Sequence, residues 1–183
     1  MTKTVIKNSL CIFLMFCSLG KFSFAFALED TPQEIVKKYY TLDRQGIRLG
    51  LQADGDINQL VAWEYEPGWD FSFIVNNVTH YNTKKITDKE VSVEVKYQVI
   101  GILGGGEDLA TYDFYELIDF IVVKTGDKWK IKTPLTPPHI SVSAAIRQLE
   151  EILRIEGEEN KVRAKKIKHT LQRLKELTMK GQQ

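Results

Sequence analysis

The fold is decided by a stretch of strict alternation between Val91 and Val99, which reads VSVEVKYQV. Every second residue from Val91 onward is valine or tyrosine, and the residues between them are serine, glutamate, lysine and glutamine. Successive side chains of a β-strand point to opposite faces, so one face of this segment is apolar and the other polar. We therefore predict a half-buried antiparallel strand that runs from Val91 to Ile102.

Further strands are predicted on both sides of this segment. The upstream candidate runs from Phe71 to Tyr81, with a continuation to Ile86 as an alternative, and the downstream candidates are Ala110 to Lys124 and Lys128 to Thr133. Together they predict an antiparallel sheet.

The turn from Thr125 to Lys128, which reads TGDK, joins the last two strands as a tight hairpin. Pairing its two ends sets the register, and one face of the hairpin then carries Phe114, Glu116, Ile118, Phe120, Val122, Trp129 and Ile131. Glu116 is the only acid in that apolar set, which makes it the first candidate for a functional side chain.

Helices are predicted before the sheet. The sequence TPQE at Thr31–Glu34 provides a hydroxyl N-cap, a proline in the first turn and a glutamate that can reach back to the cap. An apolar stripe follows, and Gly46 is a natural end. A second, short helix is expected from Ile57 to about Tyr65, ended by Pro67-Gly68.

Two helices are also predicted after the sheet, which we expect to end at Pro134, Pro137 and Pro138. The first is capped by Ser141 or Ser143. The second is basic and carries a short apolar stripe formed by Ile167, Leu171 and Leu174.

The charge distribution sets this last segment apart. Residues 22–160 contain 14 Lys and Arg against 23 Asp and Glu, whereas residues 161–183 contain 8 against 1. Three interpretations of the basic helix stay open: it docks on its own acidic domain, contacts a protein partner or second copy, or lies on an anionic membrane. The stripe lacks aromatic residues, which disfavours the membrane. If the helix serves association and not folding, removing residues 161–183 should leave the melting temperature nearly unchanged, because the stripe is short; a sharp loss of stability would make it a structural brace.

The first 27 residues have the pattern of a cleaved export signal. Lys3 and Lys7 precede an apolar run from Leu10 to Leu19, and Ala25-Phe-Ala27 has the small residues of a cleavage site. Both cysteines lie within this segment. We therefore expect a periplasmic or secreted protein without disulfides, composed of a signal (1–27), an α+β domain (28–140) and a helical, basic extension (141–183).

A family resemblance rests on the capped helix TPQEIVKKYYTLDRQG (31–46), the short second helix and the closing segment GDKWKI (126–131). Together they resemble the nuclear-transport-factor-2-like superfamily of cone-shaped α+β domains, with its cystatin-like sheet, over roughly residues 31–135. The resemblance implies an α+β fold in which a curved antiparallel sheet wraps around N-terminal helices and encloses an apolar pocket.

The resemblance also suggests where such a pocket would lie. The residues expected to line it are Tyr39, Tyr97, Glu116, Phe120 and Trp129. Some relatives are enzymes that move a proton beside a carbonyl, for which Glu116 would be the base and Tyr97, Tyr39 or His80 the donors. The alternative for Glu116 is a rim carboxylate, and for the tyrosines ordinary core positions.

Other chemistry has little support in the sequence. The three histidines, His80, His139 and His169, lack the spacing of metal ligands, and there is no Gly-x-Ser-x-Gly motif. We expect no metal, cofactor or catalytic residue, and no nucleic-acid partner. The favoured function is a non-enzymatic binding or accessory protein for a small apolar ligand, with a pocket isomerase or dehydratase as the alternative.

Overall fold

A five-stranded sheet curled into a half-barrel forms the centre of the protein in a computed structural model, which describes residues 30–50, 55–105 and 107–180. The strands are Phe71–Thr87 (β1), Glu90–Gly104 (β2), Asp108–Thr125 (β3), Lys128–Thr133 (β4) and His139–Ser141 (β5). Their order across the sheet is β4-β3-β2-β1-β5. The predicted α+β fold and the four predicted strands are confirmed, and the predicted export signal lies outside the described residues.

The fifth strand corrects the prediction that the prolines end the sheet. β5 pairs in parallel with β1, and the Phe73 amide donates a hydrogen bond to the Pro138 carbonyl at 2.8 Å. A three-residue strand is too short to show a periodicity. Its pairing is set by the neighbouring strand and not by its own sequence.

The first helix, α1 (Pro32–Arg44), begins and ends where its sequence predicts. The Thr31 hydroxyl accepts a hydrogen bond from the Glu34 amide, and the Glu34 carboxylate accepts one from the Thr31 amide at 2.7 Å. After α1 the chain turns at Gly46, whose φ of 79° favours glycine. A single 3-10 turn, Ile47–Leu49, follows.

The second predicted helix is wrong in its extent, because α2 covers only Gly55–Asn58. Beyond it the chain pairs with β4: the Ile131 amide donates to the Leu60 carbonyl, and the Ala62 amide donates to the Ile131 carbonyl, both at 2.8 Å. Since β4 is an edge strand of the sheet, its unpaired backbone groups bind this segment in place of a helical turn.

One face of the sheet, here called the inner face, packs against α1. It carries the predicted apolar set of β2, of which Val93, Val95 and Val99 are at most 1% exposed. We call this cluster the first core. Its other main members are Ile35, Val36, Tyr39, Tyr97, Ile118, Phe120, Val122 and Ile131.

The opposite face packs against α3 (Val142–Glu156) and α4 (Lys161–Lys180) and forms a second core. Along β2 the odd-numbered residues up to Val99 belong to the first core, whereas Leu103 belongs to the second. The pairing of β2 shifts by one residue at Ile100. A bulge reverses the two faces of a strand, so one strand serves both cores.

The C-terminal extension is a structural layer of this domain. The three stripe residues of α4 are 0–7% exposed. Arg163 and Lys166 form ion pairs with Glu107 in the β2–β3 turn at 2.7 and 3.3 Å. This burial argues against our expectation that residues 161–183 contribute little to stability.

No helix in the described part of the chain is long and apolar enough to cross a membrane.

Candidate functional site

Of the five residues predicted to line a pocket, four lie on the inner face of the sheet and Tyr39 lies on α1, but three of the five are closely packed core residues. Tyr39, Tyr97 and Phe120 are at most 1% exposed, and the rings of Tyr39 and Phe120 are 5.7 Å apart in an edge-to-face contact. Trp129 is partly buried at the margin of the first core, with Lys124 over its ring. The main grooves described below are lined by other residues, so a ligand pocket formed by these five stays a prediction.

Glu116 is paired with a histidine that sequence reasoning did not connect to it. The Nε2 of His139 lies 3.0 Å from the Glu116 carboxylate, whose side chain is 31% exposed, whereas that of His139 is 1% exposed. The imidazole lies between the rings of Phe73 and Tyr97, whose centroids are 4.9 and 4.5 Å away. The arrangement holds a half-exposed carboxylate in one orientation.

Two of the residues predicted to act as donors beside Glu116, Tyr97 and His80, have other contacts in the structure. Tyr97 lies opposite Glu116 in the neighbouring strand, and its ring packs on His139. His80 is exposed on β1, with its Nε2 2.7 Å from the Thr83 hydroxyl. One weak signal for His139 is present in the sequence, namely its position just before the Ser141 helix cap. Its link to Glu116 depends on β5, which the sequence did not reveal.

Behind His139 lies an ionic cluster formed by the buried Asp43 and Arg48 and the partly exposed Glu66. The guanidinium of Arg48 is 3.3 Å from the Asp43 carboxylate, and both side chains are 1% exposed. It also donates to Glu66 and to the Thr136 carbonyl, the latter at 2.6 Å. The second Asp43 contact is the His139 amide, which donates to it at 2.9 Å. The cluster thus connects α1 to the segment that carries His139.

Burial dominates the electrostatics of this region. Desolvation raises the pKa of Asp43, although the charge of Arg48 acts in the opposite direction. For Arg48, desolvation lowers the pKa, but Asp43, Tyr39 and Glu66 together more than offset it, so the net shift is upward. Desolvation raises the pKa of Tyr39 and Tyr97 too. Both phenols therefore stay protonated at neutral pH and cannot serve as bases.

A groove lies on the other face of the sheet, beside the second core. Its volume is about 600 Å³, and the surface of its wall is mainly apolar, with apolar side chains contributed by the sheet, α3 and α4. These side chains are Val75, Ile100, Tyr112, Val142, Ile146 and Leu177. Polar groups at its margin include Arg44, Gln98, Asp113 and Ser143.

A second groove, of about 480 Å³, is lined by Arg48, Glu66, Trp69 and Gln148. Its charged groups are already paired with one another, because Glu66 accepts hydrogen bonds from Arg48 and Trp69. A third, of about 590 Å³, runs along the exposed side of α1. Among the described residues, no group of three or more His, Asp or Glu is arranged to hold a metal ion.

Comparisons with protein-family models, with curated proteins and with solved structures gave no match. The resemblance to nuclear-transport-factor-2-like domains therefore stays a prediction from the sequence, and the function has to be argued from the site itself.

Proposed function

We propose that this chain is an exported, non-enzymatic binding or accessory protein that holds a small, largely apolar molecule in the groove beside the second core. The observation that carries the proposal is the groove itself, whose volume of about 600 Å³ and mainly apolar wall suit a small ligand. Such sites commonly have volumes of roughly 300–1,000 Å³ and a few polar groups that orient the ligand.

The polar margin supports an amphipathic ligand. Arg44 is held beside the groove by a hydrogen bond from its Nη2 to the Asn76 carbonyl at 3.3 Å, and Gln98 donates to Asp113 at 3.4 Å. A ligand with an apolar body and a polar end could bury the first and keep the second at this margin. On this proposal α4 has a direct role, because Leu177 forms part of the wall.

A binding experiment with 1-anilinonaphthalene-8-sulfonate, a fluorescent probe of apolar sites, tests the groove. Ser143→Trp fills the groove from an exposed position, and Leu177→Asp places a charge in its wall. We expect each variant to weaken probe binding at least about fivefold, since the apolar contact area is lost. Val162→Asp is the matched control, because Val162 is also on α4, is 84% exposed and lies outside the groove.

Circular dichroism and thermal melting show whether each variant is folded. Unchanged probe binding in folded Ser143→Trp and Leu177→Asp proteins would exclude this groove as the site. The Glu116→Gln variant distinguishes binding in the groove from a function at Glu116. It leaves the groove intact, so it should not alter probe binding.

That alternative is an acid/base isomerase or dehydratase, and the Glu116–His139 pair is the observation that favours it. Glu116 would be the base, and His139 would position its carboxylate. It ranks second because Glu116 lies outside the large apolar groove.

Export is proposed from the sequence pattern of residues 1–27. Mass spectrometry of the amino terminus of exported protein should find Leu28 as the first residue. A chain that begins at Met1 would contradict this proposal.

A further inference from the structure

The longest strand of the sheet has an unpaired edge. β3 is 18 residues long and β4 only 6, and their register pairs Ile121–Thr125 with Lys128–Thr133. The Leu109 carbonyl accepts a hydrogen bond from Arg173, but between residues 110 and 120 no described strand pairs with β3 on the side opposite β2. The backbone amides and carbonyls on that side are therefore available to an added strand.

The side chains of this edge are unusually apolar for a solvent-exposed surface. Seven of the eight residues at positions 110–117 are exposed, the exception being the half-exposed Glu116. Four of them are large and apolar: Tyr112, Phe114, Tyr115 and Leu117, which are 39–60% exposed. Exposed apolar side chains beside free backbone groups mark a site of strand addition.

The charges of the edge indicate the kind of partner. Positions 110–119 contain the acids Asp113, Glu116 and Asp119 and no basic residue. Asp113 accepts a hydrogen bond from Gln98, and Asp119 accepts one from the Ser92 hydroxyl. Neither forms an ion pair with a described lysine or arginine.

The spacing of these acids fits one face of a strand. Asp113, Tyr115, Leu117 and Asp119 alternate along β3, so they share a face, on which Lys96 lies 4.0 Å from the centroid of the Tyr115 ring. Two carboxylates are thus separated by two apolar side chains over about 20 Å, at roughly 3.3 Å per residue.

We propose that this edge binds an extended segment of a partner protein that adds to the sheet as a further strand. The segment would carry two basic residues six positions apart, with apolar residues at the two same-face positions between them. Directly opposite side chains on neighbouring strands interact, so its cations would meet Asp113 and Asp119 while its apolar residues meet Tyr115 and Leu117.

A second copy of this chain fits the edge less well. Two β3 edges paired with each other would bring both sets of carboxylates together without cations from either edge, and like charges on neighbouring strands repel. The proposal goes beyond the ligand groove. Because Asp113 lines both sites, the tests below use Asp119, which lies outside the groove.

A designed peptide tests strand addition directly. It has lysine at positions 1 and 7, valine at 3 and 5, threonine at the even positions, and blocked ends. Alternate amides of a strand point to opposite edges, so methylating the odd or the even amide nitrogens blocks only one edge of the peptide. In calorimetric titration we expect the unmodified peptide and one methylated form to bind, and the other methylated form to lose binding at least about tenfold. Equal affinities of the two methylated peptides, or no binding of any peptide, would overturn the proposal.

Charge exchange tests the register. Asp119→Lys should weaken binding of the lysine peptide about fivefold to tenfold, and a peptide with one lysine replaced by glutamate should recover it. Asp127→Lys is the control, because it makes the same charge change in the exposed β3–β4 turn. Loss of binding that the glutamate peptide does not recover would contradict the proposed contact. Self-association of the protein that Leu117→Glu abolishes would assign the edge to a second copy.

Discussion

The two cores of this protein use the same sheet in different ways. The first core lies between α1 and the inner face, and most of its members follow the simple periods of α1, β2 and β3. The second core collects short contributions from separate parts of the chain: Ile74, Leu103, Leu109, Ile140 and the stripes of α3 and α4. A periodic sequence thus builds one core, whereas chain topology assembles the other.

The change of face at Ile100 is what makes both cores possible. Without the one-residue shift there, Leu103 would point to the same side as Val99 and the inner face would continue to the end of β2. Gly101 fits this site because an added Cβ would lie 2.9 Å from the Ala110 carbonyl oxygen. The bulge allows α3 and α4 to pack on one end of a sheet whose other side faces α1.

The largest expected effect tests the first core. Val95→Asp places a carboxylate at a position that is fully buried among apolar side chains. We expect the free energy of unfolding to fall by about 5 kcal/mol or more, which is comparable with the stability of a whole domain. Chemical denaturation measures it. Glu94→Lys, on the opposite face of β2, should be nearly silent, and similar losses in the two variants would show that the face assignment is wrong.

The second-largest loss of stability is expected from the ionic cluster of Asp43, Arg48 and Glu66 beside the first core. Arg48→Met removes the cation and leaves the Asp43 carboxylate buried, which should cost about 3–5 kcal/mol of unfolding free energy. Adding Asp43→Asn, which keeps an oxygen to accept the His139 amide, should recover most of the loss. If Arg48→Met and the Arg48→Met, Asp43→Asn double variant are equally stable, the loss does not come from an unpaired Asp43 carboxylate.

A third variant tests the second core. Leu174 is fully buried on α4, so Leu174→Ala should lower the free energy of unfolding by about 3 kcal/mol through lost contacts and the cavity left behind. Lys168→Ala, on the exposed side of the same helix, is the control. If Leu174→Ala melts like the parent protein, α4 is an appendage, as its short stripe suggested.

The smallest effect is a pH dependence to which the first core contributes through two buried tyrosines. Desolvation raises the pKa of Tyr39 and Tyr97 above the ordinary value of 10.0. Above that pH the unfolded chain loses protons that the folded protein retains, so the free energy of unfolding falls by up to about 1.4 kcal/mol per pH unit for each tyrosine. Denaturation between pH 9 and 11 measures the slope.

The two cores should respond differently to this titration. Tyr97→Phe should reduce the slope, since one fewer buried tyrosine releases a proton on unfolding. Leu174→Ala should lower stability equally at every pH. An unchanged slope in Tyr97→Phe would contradict the assignment of the effect to this residue.

The sequence determined the parts of the fold that local physics controls. The capping box at Thr31 and Glu34, the alternation from Val91 to Val99 and the TGDK turn each involve residues that are neighbours along the chain. Their geometry follows from the periods of helix and strand and from turn chemistry. For the same reason the sequence singled out Glu116 as an acid in an apolar face.

Only the tertiary structure decided what those parts meet. Glu116 finds His139 because three residues after a run of prolines pair with β1, and the segment around Val61 leaves the predicted helix because β4 offers unpaired backbone groups. The free edge of β3 exists because β4 is shorter than its neighbour. Each outcome depends on contacts between residues far apart in the chain, and a local pattern does not determine which distant backbone will satisfy a hydrogen bond or cover an apolar face.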